Sequence, residues 1–257
     1  MCLVAGSRLA AHDFWLAAAP WTRGTSLTIT GNVGHFPEST EYPDPAVIRG
    51  WRVVGPDGEV RVDPAFRRDG QTLVAQVALP SPGAYLASMA VLPRTIQMKG
   101  PAFTSYLYEE DLDWVVAARE KAGLSEQPAT ERYARYGKVA VRNGAGSGGH
   151  LLRPVGFPVE LVPMTDPTLL RAGQLLTLQL LANERPVAGA TVTALAAGGG
   201  HPVVGRTNSM GHVTLPIDRN GPWLVRTVHM RTGAAAGVPE VEWDSSWASF
   251  AFHTADR

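Results

Sequence analysis

Histidine 12 follows two small residues, Ala10 and Ala11, near the start of this 257-residue chain. Small residues at this spacing are typical of a signal-peptidase cleavage site, so the sequence predicts a leader over residues 1–11 and a mature chain that begins at His12. Such a chain would carry an imidazole and a free α-amine on one residue, and both can bind the same metal ion. The apolar part of this leader, Leu3 to Gly6, is shorter than the roughly 7–15 residues expected, which leaves an upstream start codon open. The alternative interpretation is that His12 is only the residue after the cleavage site.

Two further histidines could complete a metal site. His35 follows a predicted strand in a glycine-containing loop that can bend back toward the N-terminus. His229 lies on a predicted strand whose alternation places it on one face with Val225 and Thr227, although the alternation does not decide which face of the strand is buried. We therefore predict a site of His12, His35 and His229, with Asp13 as an oxygen ligand or as an acceptor that orients an imidazole. Imidazole ligands suit copper, nickel or zinc, and the residues alone do not choose among these metals.

The composition excludes several classes of function. Lysine and arginine total 23 and are balanced by 23 acidic residues, so no strongly basic surface is predicted for nucleic acid or for an anionic membrane. No apolar run approaches the roughly 20 residues that span a bilayer. The only cysteine is Cys2, inside the predicted leader, so a mature chain would have no thiol for catalysis or for binding a metal.

The chain between residues 12 and 102 is predicted to form a β-sandwich. Leu27 and Ile29 alternate with Thr28 and Thr30, which is the period of a half-buried strand. Further alternating segments are separated by turn residues such as those of 55–58, with no helical pattern between them. This spacing favours a sandwich over an alternating β and α fold.

The pattern changes after residue 102. Strong helix formers over residues 103–136, including the charged run 131–135, predict a short helical insertion. Residues 137–257 then contain about seven short strand segments, the number that an immunoglobulin-like sandwich uses. The predicted fold is therefore mainly β, with two β-sandwich domains of immunoglobulin-like or transthyretin-like type on either side of the helical insertion.

The common catalytic signatures are missing from the sequence. It has no Gly-x-Ser-x-Gly turn and no His-Glu-x-x-His helix, so we predict that the protein is not an enzyme. One catalytic alternative stays open, a copper oxidoreductase that uses the imidazole and amine of His12. It would need an exposed substrate surface, whereas the tryptophans are predicted to lie in the core: Trp15, Trp51, Trp114, Trp223 and Trp247.

Motifs spread along the chain resemble the family known as domain of unknown function 4198. They are Ala-His-Asp-Phe-Trp-Leu at 11–16, Tyr106-Leu107, Glu109-Glu110, Glu131-Arg132-Tyr133 with Lys138, Glu160 to Pro163, Gly221 to Val225, Val228 to Met230, Trp243 and Trp247 to Ser249. Segments 185–193 and 207–213 also resemble transthyretin-like modules. One departure is Asp111, which stands where the family usually has glycine.

This resemblance implies a periplasmic or secreted protein associated with nickel or cobalt uptake. Together with the histidines, it predicts a metal-binding accessory protein for nickel, cobalt or copper that works with a membrane transporter component. The main alternative is a non-catalytic module that binds a glycan or a protein.

Overall fold

A computed structural model describes residues 12–19, 26–62 and 66–255. The predicted leader, residues 1–11, lies outside this part of the chain. The strands are β1 (Asp13–Ala19), β2 (Ser26–His35), β3 (Glu38–Glu41), β4 (Ile48–Gly55), β5 (Gly58–Val60), β6 (Arg67–Asp69), β7 (Thr72–Ala78), β8 (Gly83–Met98), β9 (Ala129–Asn143), β10 (Val159–Pro163), β11 (Gln174–Ala182), β12 (Arg185–Pro186), β13 (Thr191–Ala196), β14 (Val203–Arg206), β15 (His212–Ile217), β16 (Pro222–Thr232) and β17 (Trp243–His253). The α-helices are α1 (Gly100–Glu109) and α2 (Asp113–Lys121), and short 3₁₀ turns occupy Pro45–Val47, Gly149–Leu152 and Pro167–Leu169. Neither α-helix in the described residues is long and apolar enough to cross a membrane.

An eight-stranded sheet forms the centre of the molecule, in the order β14-β13-β16-β17-β9-β8-β4-β5. Its middle strands β17 and β9 run parallel, whereas β9 and β8 pair antiparallel. Both faces of this central sheet are buried: Tyr85 and Met89 of β8 belong to one core cluster, and Ala84 and Leu86 of the same strand belong to another. The central sheet therefore separates two hydrophobic cores.

A five-stranded sheet covers one face of the central sheet. It has the order β1-β2-β7-β6, with β3 paired to β2. Strand β1 lies on this face and buries Phe14, Trp15 and Leu16, each no more than 3% exposed. The predicted alternation of β2 is confirmed, since Leu27 and Ile29 are buried.

A smaller sheet of β10, β11, β12 and β15 covers the opposite face. Leu176, Leu178 and Leu180 of β11 pack there against Trp223 and Phe250 of the central sheet. The predicted mainly β class and its sandwich packing are confirmed. The two sandwiches share the central sheet, because β8, which carries β4 and β5 on its other side, pairs directly with β9.

The helical segment is shorter than the predicted 103–136. Helices α1 and α2 end at Lys121, and the charged run 131–135 belongs to strand β9. That run is a strand because β8 and β17 hydrogen-bond to it on both sides, which outweighs the helix propensity of its residues. Asp111, between the helices, has φ 54°, in the left-handed region that glycine adopts without strain. This conformation explains why glycine suits that position.

The tryptophans are not all in the core. Trp15 and Trp223 are buried as predicted, and Trp247 is 9% exposed. Trp114 is 50% exposed, so the prediction that it lies in the core is wrong; it lies on α2 in T-shaped contact with the ring of Trp243. An exposed helix position leaves one face of a large ring in water even when the other face packs.

Candidate metal-binding site

The pairing of β1 with β2 brings His12 and His35 together. Asp13 pairs with Gly34 and Phe14 with Val33 in an antiparallel register, so the next position along places His12 opposite His35. The two imidazole rings lie edge to face, with their centroids 5.3 Å apart. His12 is half-buried and His35 is exposed, so this histidine pair is accessible from outside the protein.

Glycine 34 shapes the turn that follows β2. It has φ 154°, and a Cβ atom there would lie 2.5 Å from the carbonyl oxygen of Glu38. Strand β3 then returns beside β2 and ends at Glu41, whose Oε1 is 3.8 Å from Nδ1 of His12. The hairpin therefore places a carboxylate oxygen next to the histidine pair.

Asp13 is buried beneath the histidine pair and does not face solvent. Its Oδ1 lies 3.0 Å from Nε of Arg226, and Arg226 also donates a hydrogen bond to Glu110, the residue that follows α1. Burial raises the pKa of Asp13, although the nearby charges of Arg226 and His35 act against that rise. Burial likewise raises the pKa of Glu110 to about 7. Asp13 is therefore placed to anchor β1 to the central sheet through Arg226, and not as an exposed oxygen ligand.

His229 lies on the opposite face of the central sheet. Arg226 of β16 points toward Asp13, and Val225 packs in the core on the other side of the sheet. Because side chains alternate along a strand, His229 shares the face of Val225. Burial and the charge of Arg231 lower the pKa of His229. The structure therefore unites His12 and His35 and leaves His229 apart from them.

Within residues 12–19, 26–62 and 66–255, no group of three or more His, Cys, Asp or Glu side chains is arranged to hold a metal ion. The histidine pair therefore offers two imidazoles, with the Glu41 carboxylate 3.8 Å from Nδ1 of His12. A free α-amine on His12 would be a further donor.

Strand β9 fixes the position of the histidine end of β1. Nη2 of Arg135 donates to the carbonyl oxygen of His12 over 3.2 Å. Two residues along, Gly137 lies directly under Phe14, where a Cβ atom would be 2.8 Å from ring carbon Cε1. The absence of a side chain at Gly137 lets β1 lie close against the central sheet.

A cavity of about 320 Å³ opens beside the histidine pair. His12, Phe14 and Glu41 form the wall nearest the pair. The rest of the lining comes from α1 and the central sheet and includes Tyr106, Glu131, Tyr133, Arg135 and Trp247. We call this space the β1 cavity.

A buried hydrogen-bond network lies at the inner end of the β1 cavity. The hydroxyl groups of Tyr106 and Ser245 both donate to Oε1 of Glu131, the first over 3.1 Å. Trp247 donates its indole N–H to Ser245 over 3.2 Å and stacks on Tyr106 with centroids 6.0 Å apart. Burial raises the pKa of Glu131 to about 7, although both hydrogen bonds oppose that rise. Glu131 therefore changes charge near neutral pH.

Sequence reasoning missed Glu131, Arg135 and Arg226 as parts of this region. The sequence of β9 contains a pattern that indicates a strand, since Glu131, Tyr133 and Arg135 are spaced two residues apart. Read as a strand, the segment would have placed all three side chains on one face.

Comparison with known families agrees with the motif resemblance. A family model described as Domain of unknown function (DUF4198) matches residues 9–231. The chain belongs to this family. The DUF4198 match includes all four predicted site residues: His12, Asp13, His35 and His229.

Similarities to solved structures are weak. The D0-D1 domain of intimin is 12% identical, with 94% of this chain and 98% of that chain covered, at a TM-score of 0.25. A two-domain fibronectin type III segment from chicken tenascin is 15% identical, with 93% and 97% covered, at a TM-score of 0.26. Among curated proteins, none matches this DUF4198 chain significantly. The family assignment therefore rests on the family model alone.

Proposed function

We propose that this DUF4198 protein is an exported accessory protein that binds one transition-metal ion at His12 and His35. The observation that carries the proposal is the pair of imidazole rings, 5.3 Å apart on neighbouring strands. Imidazole is a ligand for nickel, cobalt and copper, and Glu41 places a carboxylate oxygen near Nδ1 of His12. The function is binding and delivery, and no reaction is part of the proposal.

The remaining donor in this proposal is the α-amine of His12. A chain that begins at His12 presents an amine and an imidazole from one residue, and His35 adds a second imidazole. The hydrogen bond from Arg135 to the His12 carbonyl and the packing of Phe14 on Gly137 hold this end of β1 in place. A preorganised pair of ligands binds more tightly, because less conformational entropy is lost on binding.

The resemblance to uptake-associated proteins extends the proposal to location and partner. The protein would act in the periplasm or outside the cell and pass nickel, cobalt or copper to a membrane transporter component. His35 is exposed and Glu41 lies at the surface beside it, so a partner could reach the bound ion without opening the fold.

Calorimetric titration with nickel(II) and copper(II) tests the proposal on a chain that begins at His12. We expect binding of one ion per chain, and we expect His35→Ala to weaken it by at least about tenfold, because a metal ligand is lost. His229→Ala is the matched control, since it removes a histidine from the opposite face, and it should bind like the wild type. Unchanged binding by His35→Ala, or an equal loss in both variants, would contradict the proposed site.

A second chain with one extra alanine before His12 tests the role of the amine. The extension keeps both imidazoles and converts the amine into a peptide nitrogen. We expect weaker copper(II) binding by the extended chain. Equal affinities would show that the site consists of side chains alone.

A further inference from the structure

The β1 cavity is lined by the guanidinium group of Arg135. Burial lowers the pKa of this group, although the carboxylates of Glu41 and Asp13 lie near enough to act against that effect. Among the described residues, Arg135 has no carboxylate within ion-pair distance. Its Nη2 atom binds the His12 carbonyl, and its buried Nε atom has no hydrogen-bond partner in that part of the chain. A guanidinium group stays charged at all physiological pH values, and an unpaired buried charge is costly. An incoming anion would remove this cost.

The other charged groups of the cavity define what kind of anion fits. Arg94 at the rim is already paired with Asp44 over 3.3 Å. Glu131 at the inner end has its pKa raised to about 7, so its carboxyl group is protonated and uncharged in a large fraction of molecules at pH 7. Tyr106 and Ser245 both donate to Oε1 of Glu131, which leaves Oε2 without a hydrogen-bond partner among the described residues. Glu41 also lines the cavity and interacts with Arg135 electrostatically. One guanidinium without a salt bridge, with carboxyl groups nearby, suits a single negative charge better than a dianion.

Apolar and aromatic side chains form much of the remaining wall. Phe14, Met98 and Trp247 line the cavity, and Tyr133 lies under the guanidinium group of Arg135, 5.0 Å from ring centroid to Cζ. A volume of about 320 Å³ lies at the lower end of the range for small-molecule sites. The cavity therefore combines one anchoring charge with space for a small apolar group.

We propose that the β1 cavity binds a small organic monocarboxylate, with its carboxylate on Arg135 and its apolar part against Phe14, Met98 and Trp247. Arginine recognises a carboxylate through parallel N–H donors. This ligand site adjoins the histidine pair, because His12 lines the cavity, but its contact with the carboxylate is made by Arg135 and does not require a metal ion. It can therefore be tested on metal-free protein.

Benzoate and benzamide are a matched pair of probes, since they have the same shape and differ in charge. Titration of metal-free protein in the presence of EDTA should show saturable benzoate binding with a Kd below about 10 mM, and no saturable benzamide binding in that range. Arg135→Gln should weaken benzoate binding by about tenfold or more, because the charge-assisted hydrogen bonds are lost. Arg219→Gln, which removes an exposed arginine that does not line the cavity, is the control and should leave benzoate binding unchanged.

A measurement on the wild type locates the probe without any variant. Nuclear Overhauser contacts should connect the benzoate ring protons to the methyl group of Met98. Absence of saturable benzoate binding, equal binding of benzamide, or benzoate contacts confined to other parts of the protein would overturn the proposal. Failure of the proposed metal site at His12 and His35 would not affect the carboxylate proposal, because the benzoate titration contains no metal.

Discussion

Lys138→Met is expected to lower the free energy of unfolding by about 3–5 kcal/mol, because it leaves a buried carboxylate without its cation. Nζ of Lys138 lies 2.8 Å from Oε2 of Glu160, and both side chains are only 2% exposed. The pair joins β9 of the central sheet to β10 of the smaller sheet. Glu160 also accepts hydrogen bonds from the backbone N–H groups of Val155 and Gly156, at 2.9 and 3.0 Å. Removing the lysine would therefore leave a charge fixed in an apolar core.

Urea denaturation of wild type and variant at pH 7 measures this loss. The control is Arg219→Gln, which breaks the exposed pair between Arg219 and Asp218, whose side chains are 39% and 54% exposed. An exposed pair contributes about 0–1 kcal/mol, so the control should unfold near the wild-type midpoint. A similar small effect for Lys138→Met would show that Glu160 does not depend on its buried cation.

Glu131→Gln is expected to change how stability depends on pH. The pKa of Glu131 is raised from 4.5 to about 7 in the folded protein, chiefly by burial. Below pH 4.5 the carboxyl group is protonated in both the folded and the unfolded state, so it adds no pH dependence there. As the pH rises from 4.5 to 7, the unfolded state loses this proton first, and the wild type loses stability. Above pH 7 the loss is complete, at roughly 3 kcal/mol for a shift of about 2.5 pKa units.

The glutamine variant cannot ionise, and its amide oxygen can still accept from Tyr106 and Ser245. Its stability relative to the wild type should therefore increase between pH 4.5 and pH 8 by roughly 3 kcal/mol. Glu110 has a similarly raised pKa, but it is present in both proteins and cancels from the comparison. Urea denaturation across this pH range gives the result, with the exposed Glu59→Gln as the control. Parallel curves for wild type and Glu131→Gln would contradict the buried environment of this carboxyl group.

The meeting of His12 with His35 could be anticipated from the sequence, but for a different reason. The sequence predicts that a glycine-containing loop bends His35 back toward the N-terminus. In the structure both residues lie at the paired ends of β1 and β2, and the antiparallel register brings them together. Alternation in β2 was readable from the sequence because one face of that strand is buried and the other is not.

The position of His229 could not be predicted from alternation. Strand β16 lies in the central sheet, where another layer covers each face, so apolar residues occur on both sides of the strand. Periodicity then identifies which residues share a face of the strand, but it does not show which side of the central sheet that face is on. The direction follows from contacts with distant segments, such as that between Arg226 and Asp13.

The charged start of β9 shows how tertiary context outweighs local propensity. Glu131 and Arg135 favour helices in isolation. The partners that stabilise Glu131 inside the sheet are Tyr106 and Ser245, which are 25 and 114 residues away in the chain. No local pattern reveals such partners, so the network at the inner end of the β1 cavity was not predictable from the sequence.

Pulsed electron paramagnetic resonance of the copper(II)-loaded protein tests most directly whether His12 and His35 hold one metal ion. On a chain that begins at His12, the remote nitrogen signals should correspond to two coordinated imidazoles. His35→Ala should reduce the count to one, and His229→Ala should leave it at two. A single imidazole in the wild type, or two in His35→Ala, would contradict a metal site built on this histidine pair.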